Sequence, residues 1–308
     1  MTLRVVFLGS PAFAVPTLRA LHAEFTVTGV ITQPEKPGGR GRKSLPTEVK
    51  TTALAMGLPI LEPTTISSAQ TVTALEQWAP DVMVVVAYGK IIPQSILDLP
   101  TLGCVNLHAS LLPRHRGASP IPAAIIAGDE VTGVTTILMD RGMDTGDILL
   151  QEEIAISPED TAQSLHDKLA EPGAGLVVQT LRRMEEKTIR PVPQDHQVAT
   201  YTRLLSKDDG LLDWNRDARF LHRVVRAMNP WPTAFFSLAG DRVKVWGARA
   251  DRGSAEAAVI ARIGPEGIAV GTGEGLLVLK EVQAPAKKRM PAVEFARGRR
   301  LAVGDKLE

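Results

Sequence analysis

The sequence predicts an α/β protein with a doubly wound, mainly parallel sheet, followed by a small β-barrel domain. In the first half, apolar strand-like runs alternate with helical stretches, which is the pattern of repeated βαβ units. In the second half, short apolar runs are separated by glycines, as in small barrels of the OB type. A stretch rich in proline and polar residues lies between them and is typical of a connecting segment. We therefore expect a domain at residues 1–189, a linker at 190–206 and a second domain at 207–308.

Apolar runs and helical periodicity place the elements of each domain. In the first domain, strands are expected at residues 3–8, 26–32, 58–61, 81–87, 103–107 and 134–139. Helices are expected there at residues 15–23, 48–56, 68–78 and 161–187. Pro172 and Gly173 should break or kink the last helix, because proline cannot donate the helical hydrogen bond. In the second domain, a helix at 216–228 precedes strands at 234–238, 242–246, 258–263, 267–270 and 275–282.

The composition excludes several classes of protein. With 308 residues, of which 44% are hydrophobic and 22% charged, the chain can bury the cores of two globular domains. The apolar run at residues 5–8 is too short for a signal peptide, and no run reaches the ~18 residues of a membrane span. Cys104 is the single cysteine. An intrachain disulfide and a multi-cysteine metal site are therefore excluded, and a reducing cytoplasm is the expected compartment.

Charge is distributed unevenly along the chain. The net charge is only +1, but residues 203–308 contain 19 Lys and Arg against 13 Asp and Glu. A basic second part after an acidic first part hints at a nucleic acid or another polyanion as partner.

The turn after the first strand argues against a nucleotide cofactor. A dinucleotide site calls for G-x-G-x-x-G there, because those glycines let the backbone approach a pyrophosphate. The chain has Gly9-Ser10-Pro11-Ala12-Phe13 instead, and it also lacks the phosphate-loop pattern G-x-x-x-x-G-K-[ST]. The predicted fold therefore does not imply NAD or ATP.

A polar pair at the end of a buried strand is the first candidate for chemistry. Asn106 and His108 are two residues apart in an apolar run, so their side chains point to the same side of the strand. The strand at 134–139 leads into a turn rich in glycine and carboxylates that contains Asp144. Ligands of open α/β sheets bind beyond the carboxyl ends of strands, so both segments can reach one crevice. An amide, an imidazole and a carboxylate suit acyl chemistry on a carbonyl, although Asn-x-His alone is a frequent chance match.

Longer motifs carry a family resemblance. In chain order they are Gly9-Ser10-Pro11, Thr32-Gln33-Pro34, residues 81–89 (DVMVVVAYG), Asn106-Leu107-His108, Ser110-Leu111-Leu112-Pro113-Arg114, Arg116-Gly117, Met143-Asp144-Thr145-Gly146-Asp147 and Asn229-Pro230-Trp231-Pro232. From about Leu3 to the C terminus, the chain resembles the methionyl-tRNA formyltransferase family. Asn-x-His with the distant Asp-Thr-Gly-Asp alone would mark only the wider group of folate-dependent formyltransferases. The Asn-Pro-Trp-Pro motif and the basic second domain favour the tRNA branch.

This resemblance implies a reaction and the residues that perform it. A formyl group would pass from 10-formyltetrahydrofolate, the co-substrate, to the α-amine of methionine on initiator tRNA, without a metal. Asn106 and a protonated His108 would donate to the oxyanion, while Asp144 would orient the imidazole and help remove the amine proton. The residues expected to face the folate are Val86, Tyr88, Gly89, Ser110, Leu111, Leu112, Pro113 and Asp140.

The resemblance also implies where tRNA binds. A glycine-rich loop at residues 34–46 matches the family's insertion into the acceptor-stem region, and the second domain carries basic side chains. The residues expected to contact tRNA are Lys36, Arg40, Arg42, Lys43, Arg223, Lys287 and Lys288. Contacts of Lys and Arg with phosphates give salt-dependent, largely sequence-independent affinity. By the same resemblance we expect a monomer, and because no apolar run is long enough for a membrane span we expect no membrane partner.

Other functions share parts of the pattern. A folate-dependent formyltransferase acting on a small amine, such as a nucleotide sugar, has the same Asn106, His108 and Asp144. A hydrolase that releases formate from the same folate is a second alternative, since water can replace the amine. A non-catalytic RNA-binding protein is a third, and the intact set of three polar residues argues against it.

Overall fold

The computed structural model describes residues 2–35 and 45–307 and divides the chain into two compact units. The first comprises Met1–Pro120, Val131–Ala155 and His166–Thr202, and the second comprises Ile121–Glu130, Ile156–Leu165 and Arg203–Glu308. The last division, after Thr202, falls inside the segment at 190–206 that the sequence presents as a linker. The sequence did not predict that the two short segments, Ile121–Glu130 and Ile156–Leu165, join the second unit. The predicted loop residues Lys36, Arg40, Arg42 and Lys43 lie outside the described residues.

A seven-stranded sheet forms the centre of the first unit. Strands in this unit are β1 (Arg4–Gly9), β2 (Thr26–Ile31), β3 (Ile60–Leu61), β4 (Val82–Val86), β5 (Cys104–His108), β6 (Arg116–Gly117), β7 (Val131–Leu138), β8 (Ile148–Ala155) and β9 (Tyr201–Thr202). The order in the large sheet is β3-β2-β1-β4-β5-β7-β8, and β6 pairs with β9 separately. The first five strands of that order are parallel to one another, whereas β7 pairs antiparallel with both β5 and β8. The predicted mainly parallel sheet is confirmed.

The apolar runs explain the sheet's centre. Residues 5–8 of β1 and all of β4 are buried, as expected for parallel strands that are covered on both faces. Cys104 at the start of β5 is also buried, and burial together with nearby Asp98 raises the pKa of its thiol to about 12. It is therefore a structural residue and an unreactive thiol.

Helices connect the strands of the first half. They are α1 (Val15–Glu24), α2 (Glu48–Ala55), α3 (Ala69–Trp78), α4 (Gln94–Leu97), α5 (Pro120–Ala127) and α6 (Ala162–Glu185). Thr47 and Ser68 cap α2 and α3 by accepting a hydrogen bond from the backbone N–H three residues on.

The expected break at Pro172 does not occur, because α6 continues through it. Proline removes one helical hydrogen bond, but tertiary packing holds the helix together on both sides. Leu169 and Val177 are buried, and a Cβ on Gly173 would come within 2.8 Å of Leu107 on β5. The glycine thus permits a close approach of helix and strand. The prediction of a break was wrong, whereas that of a kink stays a prediction.

An antiparallel sheet forms the core of the second unit. Its elements are α7 (Ala218–Ala227), β10 (Ala234–Leu238), β11 (Asp241–Asp251), β12 (Ile260–Gly264), β13 (Gly267–Gly271), β14 (Leu276–Gln283), β15 (Met290–Pro291) and α8 (Ala292–Arg299). The strand order is β10-β11-β14-β13-β12, and β15 pairs with β14. Strand β11 extends well beyond the predicted 242–246. The register against β14 shifts on both sides of Gly247, so the glycine forms an irregularity that the strand passes through.

Candidate active site

Strand β5 places Asn106 between two neighbouring strands. Its backbone lies opposite Val85 of β4 and Ile137 of β7. The side-chain Nδ2 donates to the Val85 carbonyl oxygen at 3.1 Å, while Oδ1 is buried without a hydrogen-bond partner among the described residues. A carboxamide has two N–H groups and one oxygen to satisfy. Asn106 therefore retains hydrogen-bonding capacity, which is typical of a functional side chain.

The imidazole of His108 lies between two acceptors. The side chain is buried, with Nε2 3.0 Å from the His115 carbonyl oxygen and Nδ1 3.5 Å from Asp144 Oδ2. The sequence correctly predicts that His108 and Asp144 meet. The His115 contact was not predicted, and it means that Nε2 of His108 already has a hydrogen-bond partner in this structure.

Asp144 reaches His108 by a different route from the one expected. Strand β7 is antiparallel to β5. The last residue of β7, Leu138, therefore lies opposite Val105 rather than near His108. The loop at residues 139–147 instead brings Asp144 back to the imidazole. Asp144 has a left-handed φ of 55°, and a Cβ on Gly146 would collide with the Leu138 carbonyl oxygen, so the loop needs glycine there.

The carboxylate of Asp144 has a second partner. The backbone N–H of Gly117 donates to Asp144 Oδ2 at 2.7 Å, so the oxygen that faces His108 also accepts from the chain on β6. This backbone contact restrains the direction of the carboxylate.

The predicted folate segment forms a turn with many hydrogen bonds. Ser110 Oγ donates to the Arg114 carbonyl at 2.7 Å. Thr135 Oγ1 donates to the Ser110 carbonyl at 2.6 Å and accepts from Leu112 N–H at 3.2 Å. Gln151 Nε2 donates to the Leu112 carbonyl at 2.9 Å. The backbone of this segment is therefore held in one conformation, with Leu111 and Pro113 half-buried.

The other predicted folate residues fall into two groups. The side chains of Val86 and Tyr88 are buried in the core, and burial raises the pKa of the Tyr88 hydroxyl. The side chains of these two residues are therefore not exposed to a ligand in this structure. Gly89 and Asp140 are exposed. Asp140 Oδ1 accepts from Gly142 N–H at 2.9 Å and from Thr145 Oγ1 at 2.6 Å, so this carboxylate stabilises its own turn.

The predicted tRNA residues of the second unit also differ among themselves. Lys287 and Lys288 are exposed. Arg223 is half-buried and its Nε donates to the Ile126 carbonyl at 3.0 Å, which gives it a structural contact. The sequence did not predict that two arginines stack on aromatic rings: Arg289 Cζ lies 3.3 Å from the centre of the Trp246 ring, and Arg242 Cζ lies 3.8 Å from that of Phe235.

Sequence patterns also missed Gln194, which is buried beside the Asp144 loop. Its segment, with two prolines and polar neighbours, is typical of a linker. The one usable signal was the Arg116-Gly117 motif, because Arg116 is the hydrogen-bond partner of Gln194.

Two kinds of feature are absent from the part of the chain that the structure describes. Within 2–35 and 45–307, no helix is long and apolar enough to cross a membrane. Over the same ranges, no group of three His, Cys, Asp or Glu side chains could hold a metal ion.

A mainly parallel sheet with Asn106, His108 and Asp144 around β5, joined in sequence to an antiparallel second unit, defines the class of two-domain formyl transferases. The family model described as formyl transferase matches residues 3–181. The model for the formyl transferase C-terminal domain matches residues 204–300. The chain belongs to the methionyl-tRNA formyltransferase family.

Curated relatives support this membership along nearly the whole chain. The methionyl-tRNA formyltransferase of Acetivibrio thermocellus is 43% identical over 309 residues, which cover 99% of each chain. The enzyme of the same name from Desulfotalea psychrophila is 46% identical over 303 residues, covering 97% of this chain and 94% of the relative.

Solved structures share the fold at low identity. A methionyl-tRNA formyltransferase from Clostridium thermocellum is 16% identical with a TM-score of 0.56, covering 80% of this chain and 93% of that one. WlaRD, a sugar 3N-formyl transferase solved in the presence of dTDP and 5-N-formyl-THF, is 17% identical with a TM-score of 0.68, covering 94% and 100%. HypX from Aquifex aeolicus, in complex with tetrahydrofolic acid, is 16% identical with a TM-score of 0.65, covering 98% of this chain and 48% of that one.

Proposed function

We propose that this protein transfers the formyl group of 10-formyltetrahydrofolate to the α-amine of methionyl initiator tRNA. The observation that carries the proposal is the contact between His108 and Asp144, on the strand that also carries Asn106, in a chain 43% identical to a methionyl-tRNA formyltransferase over 99% of its length. Such a reaction on charged tRNA would take place in the cytoplasm.

The residues around β5 fit a folate. Asn106 has a buried oxygen without a partner among the described residues, which suits a ligand that carries an N–H or O–H donor. Leu111 and Pro113 are half-buried on a fixed turn and would supply apolar walls, while Gly89 exposes backbone at the end of β4. A concave site with apolar walls and a few placed polar groups is what a flat heterocycle requires. When bound, this co-substrate supplies an activated formyl group.

Asn106 is the group best prepared to stabilise the developing charge. Attack by an amine places negative charge on the formyl oxygen, and a carboxamide N–H held in advance stabilises it without reorganisation. The bond from Nδ2 to the Val85 carbonyl fixes the side chain and occupies one of its two N–H groups. The other N–H would donate to the formyl oxygen.

His108 and Asp144 would handle the proton and the second donor. Asp144 Oδ2 faces Nδ1 of the imidazole, so a cationic ring formed during the reaction is stabilised next to a carboxylate. To donate to the formyl oxygen, Nε2 must leave the His115 carbonyl, and catalytic hydrogen bonds often form only in the complex with substrate. Asp144 would help to remove the proton from the attacking nitrogen.

The second unit would supply affinity for the nucleic acid. Lys287 and Lys288 are exposed, and nearby Arg289 is stacked on Trp246. Exposed cations close to an aromatic ring are the ordinary elements of a phosphate-binding and base-stacking surface.

Transfer of radiolabelled formyl from 10-formyltetrahydrofolate would test the proposal. Charged initiator methionyl-tRNA should accept the label, whereas a dTDP-amino sugar should not. Release of free formate at the same rate with and without an acceptor would indicate a hydrolase. Label on the sugar but not on the tRNA would overturn the proposal in favour of a sugar formyltransferase.

A further inference from the structure

Gln194 connects the Asp144 loop to a buried arginine. Its Nε2 donates to the carbonyl oxygens of Asp144 at 2.9 Å and of Gly146 at 2.6 Å. Its Oε1 accepts from Arg116 Nη2 at 2.7 Å and from Arg116 Nε at 3.1 Å. A guanidinium only donates and a carbonyl only accepts, so these partners determine which way the amide lies. Both N–H groups and the oxygen of Gln194 are thereby used.

Arg116 is a rigid support for this glutamine. The residue is fully buried, at 0% exposure, and its Nη1 lies 3.1 Å from His196 Nδ1 and donates to the Tyr201 hydroxyl at 3.2 Å. A buried cation is tolerated only when its N–H groups are satisfied. Moving the guanidinium would break bonds to three residues, so its position is well determined.

The two residues of β6, Arg116 and Gly117, hold Asp144 at two points. Gly117 donates its N–H to the carboxylate, while Arg116 acts on the Asp144 carbonyl through Gln194. Asp144 has a left-handed φ of 55°. This backbone conformation is unfavourable for residues other than glycine and persists where surrounding contacts impose it. Gln194 provides such contacts by donating to the carbonyl oxygens of Asp144 and Gly146.

We propose that Gln194, supported by Arg116, is a positioning residue for formyl transfer. It holds the backbone of the Asp144 loop so that the carboxylate stays beside His108. The expected effect on kcat rests on the proposed function, whereas the expected effect on the position of the Asp144 carboxylate does not. Residues that orient a catalytic group in this way affect the chemical step more than substrate binding.

Gln194→Glu is the sharpest variant. The carboxylate still accepts from Arg116, which preserves the support, but it cannot donate to the Asp144 and Gly146 carbonyls. We expect kcat to fall about 100-fold, as for small displacements of a catalytic group, with both KM values within about twofold of wild type. Gln194→Met, which removes both sets of bonds, should lower kcat at least as much. Gln197→Glu is the matched control, because Gln197 is exposed in the same segment, and it should behave as wild type.

The amide resonance of Gly117 reports on the carboxylate without any turnover. In Gln194→Glu, its NMR shift should move toward the value found in Asp144→Ala, where the acceptor is absent. An unchanged kcat, a rise in KM alone, or a Gly117 shift equal to wild type would each overturn the positioning role. If the wild-type protein fails to formylate methionyl-tRNA, the proposed function fails, and the Gly117 shift still decides the positioning role.

Discussion

The polar residues named for function differ between the two units in how deeply most of them are buried. In the first, His108, Arg116 and Gln194 are buried and have defined hydrogen-bond partners. In the second, cations such as Lys287 and Lys288 lie exposed on the surface. A buried polar group without a partner is costly, so its position is specified closely. Exposed charges are screened by salt and water, so each one contributes little and their sum matters.

This difference separates two kinds of effect. Changes in the first unit should act on kcat, because they alter the geometry of reacting groups. Changes on the surface of the second unit should act on tRNA affinity and on its dependence on salt.

The largest effect is expected for His108→Ala. The variant loses a proposed donor to the formyl oxygen and the partner of Asp144, and removal of one such donor typically lowers kcat by about 10² to 10³. Single-turnover formyl transfer to methionyl-tRNA measures this loss, and circular dichroism checks that the fold is retained. His22→Ala, at an exposed position of α1, should behave as wild type. Turnover of His108→Ala within tenfold of wild type would remove His108 from the mechanism.

A smaller effect is expected from the surface of the second unit. Lys287→Glu combined with Lys288→Glu should weaken tRNA binding roughly tenfold and reduce the slope of log affinity against log salt by about 1 for each phosphate that is no longer neutralised. The KM for the folate should not change. Filter binding at several salt concentrations measures the affinity and its slope, with Lys207→Glu as an exposed control in the same unit. Equal losses for folate and tRNA would contradict the division of roles.

The smallest effect is expected for an exposed ion pair. A hydrogen bond from Arg203 is the main reason that the pKa of Asp209 falls from 3.8 to about 2. A lowered carboxyl pKa contributes stability above the unfolded value, and this is lost as pH falls toward the folded value. Asp209→Asn should therefore lower the free energy of unfolding at pH 7 by about 0.5 to 1 kcal/mol, since solvent screens the pair.

Urea unfolding at pH 7, pH 4 and pH 2 checks this linkage. The difference between wild type and Asp209→Asn should shrink between pH 4 and pH 2. Asp208→Asn, which removes a more exposed partner of Arg242, is the control and should change stability less. A difference that stays constant across this range would show that Asp209 does not act through its charge.

Much of the fold could be predicted because its signals are local. Continuous apolar runs at β1 and β4 predicted buried parallel strands, and alternation along β5 put Asn106 and His108 on one side. The direction of β7 could not be predicted, because an apolar run occurs in buried strands of both parallel and antiparallel pairing. Helix α6 continues through Pro172 and approaches Leu107 closely at Gly173, and no local rule contains that contact.

The sequence by itself determined the alternation of elements, the antiparallel second domain, the identity of the three polar residues and, through its motifs, the family. Only the tertiary structure decided how Asp144 returns to His108, why His108 already has a carbonyl partner, and that Gln194 belongs to the site. The reason is physical. Periodicity and turn chemistry act over a few residues, whereas the bonds of Gln194 join positions 50 and 78 residues apart, and such pairings exist only once the chain has folded.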